Sequence, residues 1–221
     1  MKQAPGHKKS PHTEASYSAF FRSISGKTAP VVLLEGRRDL REEDHRHLKK
    51  VAALLARKFP HVIFRTGNAR GSDTLFAEGV CQVDSRRLEY VLPFRGMGAE
   101  RAAADSPTLC LEDVSDELEG KMRRMCQQAS PLKRSLFQQP HWEIQERYDH
   151  FSAKYLLRDA LKVTGDRLQG FAPATCAILY VEPGDPHAGG TGHTLRLCHL
   201  RGIPSFTQDE WFEWLKGPIS P

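Results

Sequence analysis

Val62-Ile63-Phe64-Arg65-Thr66-Gly67-Asn68-Ala69-Arg70-Gly71-Ser72-Asp73-Thr74-Leu75-Phe76-Ala77-Glu78 passes from a β-rich apolar run, through a glycine loop, into a stretch that begins like a helix. Ser72 stands where an N-cap is expected, and Asp73 falls in the first turn, where the helix dipole favours a carboxylate. Gly67 and Gly71 permit positive φ and close backbone approach. The free N–H groups of a helix start attract phosphate or carboxylate. Two readings follow, a cradle for an anion or a tight βα turn whose glycines solve a steric problem.

Outward from this loop the same rhythm repeats. Val31-Val32-Leu33-Leu34, closed by Glu35-Gly36, is a short continuous apolar run of the kind buried on both faces of a parallel sheet. Residues 42–58 place Leu48, Val51, Leu54 and Leu55 on one helical stripe before Pro60, and residues 72–82 form the next helix. A third strand is predicted at Leu88-Glu89-Tyr90-Val91-Leu92, stopped by Pro93. The βαβαβ alternation implies an α/β fold with right-handed crossovers and a mainly parallel sheet, strand 31–35 lying between strands 62–66 and 175–181.

Residues 94–143 break the rhythm and read as a helical insertion. A charged helix is predicted over 114–128, between Pro107 and Pro131, followed by irregular connection over 132–142. A long helix from residue 142 or 143 to 163 carries Tyr148, Phe151, Tyr155, Leu156 and Leu161 on one side. Asp159 on that helix reads equally as a partner of Arg158 or a loop arginine and as a ligand contact. The buried strand 175–181 precedes a loop over 182–189, and Gly190-Thr191-Gly192-His193-Thr194 opens a helix reaching about Arg201. A short edge strand at 203–206, which tolerates Pro204, and a last helix at 209–216 complete the chain.

The 221 residues contain 39% hydrophobic side chains, with a mean hydropathy of −0.50, and are enough for one large domain. No apolar run approaches the roughly 20 residues of a membrane helix, and the amino terminus lacks a signal-like segment, so a cytoplasmic protein with no membrane partner is expected. Five scattered cysteines without a Cys-x-x-Cys pair suggest neither a disulfide framework nor a metal site. Of the net charge of +5, residues 1–30 carry all but one, since Lys2, Lys8, Lys9, Arg22 and Lys27 oppose Glu14 there. Nucleic-acid binding by the nearly neutral remainder is therefore disfavoured. Residues 1–30 read as a basic arm, the first dozen disordered, with Tyr17, Phe20, Phe21 and Ile24 spaced to pack a short helix onto the domain or a second subunit; residues 31–221 read as the domain proper.

Three strand-following loops carry glycine before a helix: Gly36-Arg37-Arg38, Thr66 to Asp73, and Gly189 to Thr194. Ligands of open parallel sheets bind beyond the carboxyl ends of the strands, so the three are expected to share one anionic ligand. The candidate ligand-binding residues are Gly36, Arg37, Arg38, Thr66, Gly67, Asn68, Ala69, Arg70, Gly71, Ser72 and Asp73, with Gly189, Gly190, Thr191, Gly192, His193 and Thr194. Glycine N–H groups and the Thr191 and Thr194 hydroxyls would wrap a phosphate, while Arg37, Arg38 and Arg70 would supply charge. His193 reads as solvent-exposed or ligand-contacting, with a general base as the alternative.

In order and spacing, Gly36-Arg37-Arg38-Asp39, residues 66–73, Gly189-Gly190-Thr191-Gly192-His193-Thr194 and Arg201-Gly202-Ile203-Pro204-Ser205-Phe206 resemble the SLOG superfamily of Smf/DprA recombination mediators and LOG proteins, especially its prophage- and plasmid-type members. The resemblance spans about residues 31–206. It implies a Rossmann-like three-layer sandwich, a nucleotide or ADP-ribose-like ligand with no required cofactor, and often a homodimer. The LOG phosphoribohydrolases carry a catalytic acid after their glycine motif, where this chain has Leu195-Arg196-Leu197-Cys198, so no catalytic set is assigned. A nucleotide sensor or carrier is the leading expectation. A nucleotide hydrolase using Asp73, Glu78 or Glu182, and a DprA-like single-strand DNA mediator aided by the basic arm, are the alternatives.

Overall fold

Val31–Gly36 is buried at all six positions because both of its faces are covered, and alternate residues enter different cores. In the computed structural model, which describes residues 11–138 and 147–216, this strand is β1 of a six-stranded sheet. The others are β2 (Ile63–Thr66), β3 (Leu88–Leu92), β4 (Thr108–Cys110), β5 (Cys176–Tyr180) and β6 (Ser205–Thr207). Their order is β4-β3-β2-β1-β5-β6, and every pairing is parallel. β1 thus lies between β2 and β5, as expected of a doubly wound order, with Val32 opposite both Phe64 and Cys176.

The helices are α1 (Pro11–Ile24), α2 (Glu42–Lys58), α3 (Ser72–Cys81), α4 (Asp116–Ala129), α5 (Arg147–Thr164), α6 (Gly189–Leu200) and α7 (Gln208–Trp214). One core joins Val32, Leu34, Phe64 and Ile178 to the apolar faces of α1, α2, α3 and α7. The other joins Leu33, Val91, Ala177 and Leu179 to α4, α5 and α6. The result is the expected α/β three-layer sandwich, Rossmann-like in its parallel sheet.

Three local readings change. The stretch 94–143, expected to be a helical insertion, also supplies β4, pairing Val91 with Leu109 at the sheet edge. The connection after α4 winds into a 3-10 segment, Pro131–Phe137, and the predicted start of the long helix at 142 or 143 lies outside the described residues. At the other end, α1 buries Tyr17, Phe20 and Ile24 beside Trp214 of α7, whose indole N–H donates to Ser16 Oγ at 3.0 Å. Residues from 11 onward therefore belong to the folded unit, so the disorder expected of the first dozen fails at residues 11 and 12, which open α1, and for residues 1–10 it falls outside the described residues.

Arg65 is the unusual strand residue. Its neighbours Phe64 and Thr66 are apolar and small, but its guanidinium is fully buried on the α5 side. There Nε donates to Glu89 Oε2 at 2.8 Å, one terminal nitrogen to the Lys162 carbonyl at 2.9 Å, and the other to the Ala172 carbonyl at 2.7 Å. A buried ion must be fully hydrogen-bonded, and the three-way fork of arginine meets that need while tying β2 to β3 and to the end of α5.

Candidate functional site

The chain reverses direction across the sheet between β1 and β5. The segment after β1 leads to α2 on one face, and that after β5 leads to α6 on the other, so a crevice opens above their carboxyl ends. A cleft of about 530 Å³ occupies it. Its floor is made by Glu35, Asp73, Arg158 and Asp159; its rim by Arg37, Arg38, Lys133 and Glu182; one wall by Tyr155; and another by Gly189, Gly190 and Thr191.

Of the predicted residues, the cleft gathers Gly36, Arg37, Arg38, Ala69, Asp73, Gly189, Gly190 and Thr191. All three glycine loops contribute. The loop 66–73 does so in an unexpected way, because its anion is its own. The Asp73 carboxylate accepts the N–H of Gly36, Gly67 and Ala69, each at 3.2 Å. The cradle read from the sequence is filled from within, and Asp73 joins the β1 and β2 loops. Ser72 is the first helical residue rather than the cap: Gly71 holds the cap position at φ 88°, and Ser72 Oγ donates to the Arg37 carbonyl at 2.8 Å. A side chain at Gly71 would also strike the Arg38 backbone.

Several other predicted contacts do not reach the cleft. Arg70 faces a separate groove of about 450 Å³, shared with Arg38, His45, Leu75 and Arg101. Asn68, at φ 54°, donates through its side chain to the Gly98 carbonyl at 2.8 Å. Gly67 offers its carbonyl to Arg158, 2.7 Å away. Thr66 and Thr194 are completely buried. Gly192 is buried as well, and a Cβ there would collide with the His187 backbone, so this glycine lets α6 and its preceding loop close together instead of admitting a phosphate.

His193, expected at the surface or on the ligand, is 1% exposed, with Nδ1 2.7 Å from Ser130 Oγ. Burial pushes its imidazole down to about 4 against the opposing pull of Asp159, with Arg196 and Lys133 adding to the depression. A neutral histidine held this way serves α6 packing on α4. Because the folded pKa lies below the ordinary 6.5, its contribution to stability is present above pH 6.5 and lost as pH falls toward 4, by up to about 3 kcal/mol. Subtracting the denaturation profile of His193→Asn from that of the wild type between pH 7 and pH 4 should isolate this loss. Parallel profiles would contradict it.

Beneath the cleft lies a charged network that the sequence reading largely missed. Lys162 Nζ is 2.5 Å from Glu35 Oε2 and 2.9 Å from Asp159 Oδ1, and Arg158 Nε is 3.1 Å from the same Asp159 oxygen. All four side chains are almost fully buried. Burial pushes Glu35 up to about 7, with Lys162 opposing and the Asp159 and Asp73 carboxylates reinforcing the rise. Burial acts the same way on Asp159, yet Lys162 and Arg158 prevail and hold it below the usual carboxylate range. The signal was present in the spacing: Arg158, Asp159 and Lys162 share one face of a helix otherwise lined with leucine and alanine, and Glu35 ends a wholly apolar strand.

The free donors sit opposite. α6 begins at Gly189, φ 64°, after Ala188, and no side chain caps it. The opening N–H groups of a helix lack intrahelical acceptors, and here the residues that carry them, Gly189, Gly190 and Thr191, line the cleft. Arg37 is committed to Glu182, Nη1 to Oε1 at 2.8 Å. Arg38 lies over the Tyr155 ring at 5.6 Å, and neither it nor Lys133 enters an ion pair among the described residues. Among the described residues, no group of His, Cys, Asp and Glu is placed to hold a metal ion, and no helix is long and apolar enough to cross a membrane. Comparison of the chain with protein-family models, with curated proteins and with solved structures gave no match.

Proposed function

We propose that the protein binds a phosphate-bearing, nucleotide-derived ligand in the cleft above β1 and β5, and that it acts as a sensor or carrier of that ligand. The observation that carries this reading is the uncapped amino end of α6, which opens into the cleft beside Arg38 and Lys133, two cations without carboxylate partners among the described residues. Peptide N–H groups and the helix dipole favour an anion there, and flanking cations strengthen charged hydrogen bonds. The cleft volume falls within the roughly 300–1,000 Å³ of small-molecule sites, and its place at the switch point is where open α/β sheets bind ligands. The resemblance of the glycine loops to SLOG proteins lends support on the same side.

Binding is favoured over turnover by the commitments of the carboxylates first considered for hydrolysis. Asp73 accepts three backbone N–H groups, Glu182 pairs with Arg37, and Glu78 pairs with Lys49 outside the cleft. Calorimetric titration of the full chain with AMP, NAD and ADP-ribose, followed by chromatography of each mixture, tests the reading. One-to-one binding of at least one compound, recovered unchanged, is the expected result. No binding by any of them at millimolar concentration would overturn the nucleotide reading, and conversion of a bound compound would replace the sensor with an enzyme.

A further inference from the structure

The cleft floor and the layer just beneath it hold more negative than positive charge. Three carboxylates, Glu35, Asp73 and Asp159, face two cations, Arg158 and Lys162, so one carboxylate is in excess when all are ionised. The three are not equally provided for. Asp73 accepts three backbone N–H groups, and Asp159 Oδ1 lies between Lys162 Nζ at 2.9 Å and Arg158 Nε at 3.1 Å. Glu35 has only a share of Lys162, 2.5 Å from its Oε2, and that contact lacks the alignment of a hydrogen bond. At 4% exposed, it has little water to make up the difference. Glu35 is therefore the carboxylate least held in its charged form, and burial has already pushed it up to about 7.

The groups around Glu35 leave the neutral range to it. From α5 it meets Lys162, Asp159 and Arg158, and from α3 Asp73. On the neighbouring strands, Arg65 is committed to Glu89 and to two backbone carbonyls. On α6, burial pushes the Cys198 thiol up to about 12 and the His193 imidazole, behind Asp159, down to about 4.

An anion at the amino end of α6 would stand close to the excess carboxylate charge. Gly190 lines the same cleft, and a Cβ on it would lie 3.7 Å from Asp159 Oδ2. The rim does not cancel that charge, because Glu182 takes Arg37, and Asp39 accompanies Arg38 and Lys133. Like charges in a poorly screened site repel, and a proton on the carboxylate nearest to accepting one relieves the repulsion. Resting on the phosphate reading above, we propose that the protein takes up a proton from solvent as its anionic ligand binds, and that Glu35 receives it. The bound anion then lies over a floor of balanced charge, and occupancy depends on pH as well as on ligand concentration. Because the complex holds the proton more tightly than the free protein, affinity is highest at acid pH. It falls as pH rises through the neutral range, by at most about a decade per pH unit, until Glu35 ionises in the complex as well.

ADP-ribose suits the test, since its diphosphate stays ionised through the neutral range and supplies no proton of its own. Calorimetric titration of the full chain at pH 7.5 in HEPES and in Tris, buffers of different ionisation enthalpy, gives the number of protons exchanged from the difference in apparent binding enthalpy. Uptake of about half a proton per ligand is expected for a rise of one unit from about 7, with affinity falling roughly fivefold between pH 6.5 and pH 8.5. In Glu35→Gln, whose amide stands in for the protonated acid, uptake should vanish and affinity should stay level across that range. Uptake below about a tenth of a proton in the wild type, or release of a proton, would overturn the coupling and leave the phosphate reading standing. Absence of ADP-ribose binding at millimolar concentration would overturn the coupling together with the site on which it rests. A folded Glu35→Gln that still takes up the wild-type fraction would overturn the assignment to Glu35. The wild-type measurement needs no substitution, so a variant that fails to fold does not shield the proposal.

Discussion

Lys162→Met is expected to lower the unfolding free energy by about 3–5 kcal/mol, the cost of stripping the counter-ion from buried carboxylates. The ammonium touches both Glu35 and Asp159 and is itself wholly buried, and the two carboxylates, 4% and 2% exposed, meet solvent only at the cleft floor, so water replaces it poorly when it is lost. Glu35 sits at about 7 even with Lys162 present, because burial outweighs the attraction, and without that cation it should take up a proton throughout the neutral range. Adding Glu35→Gln to Lys162→Met should restore part of the loss, since a neutral amide no longer needs the ammonium. Urea denaturation of the two variants measures both effects. A loss below about 1 kcal/mol in the single variant would mean that the network is open to solvent.

Phe20→Ala should cost a similar amount, about 3–5 kcal/mol, through the cavity it leaves. The ring is completely buried, with ring centroids 5.2 Å from Trp214 and 5.8 Å from both Phe59 and Phe206, so four elements would border the void. An arm laid on a finished domain would behave differently: its truncation would cost little and leave the cooperative transition unchanged. Guanidinium denaturation separates the cases, and a destabilisation under about 1 kcal/mol would contradict the placement of α1 in the core.

What the residues reveal in advance depends on how far the signal travels along the chain. β1, β2, β3 and β5 were legible because continuous apolar runs need cover on both faces, and α2 because its leucines and valine repeat at helical spacing. β4 was not legible. Three residues carry too little pattern, and pairing with β3 is decided across the sheet. The glycine loops were located correctly, yet their contents were not, for a reason that is physical. A ring of peptide N–H groups accepts any carboxylate or phosphate, and sequence does not say whether the anion comes from a ligand or from Asp73 six residues further on. Gly190 and Gly192 look alike in sequence. One faces the cleft and the other presses on the His187 backbone, a difference set by how the loop from 181 to 188 returns to α6. The floor was legible only in part: the pairing of Asp159 with Arg158 follows from the helix, but that Glu35 on β1 meets Lys162 on α5 is decided across the fold and not along the chain.

Gly190 consequently offers the most direct test of the anion site. A Cβ there meets only Asp159 Oδ2, in ordinary van der Waals contact, and the glycine is exposed at the mouth of α6. Gly190→Val should therefore remain folded, within about 0.5 kcal/mol of the wild type, while its side chain fills the place of the phosphate. Charged hydrogen bonds are worth about 1.5–3 kcal/mol each, so losing two predicts an affinity weakened by two or more decades. The measurement is the calorimetric affinity of Gly190→Val for ADP-ribose beside that of the wild type, with thermal melts of both. A folded variant that binds at least a hundredfold more weakly is the predicted result. A folded variant with undiminished affinity would contradict the phosphate site at α6.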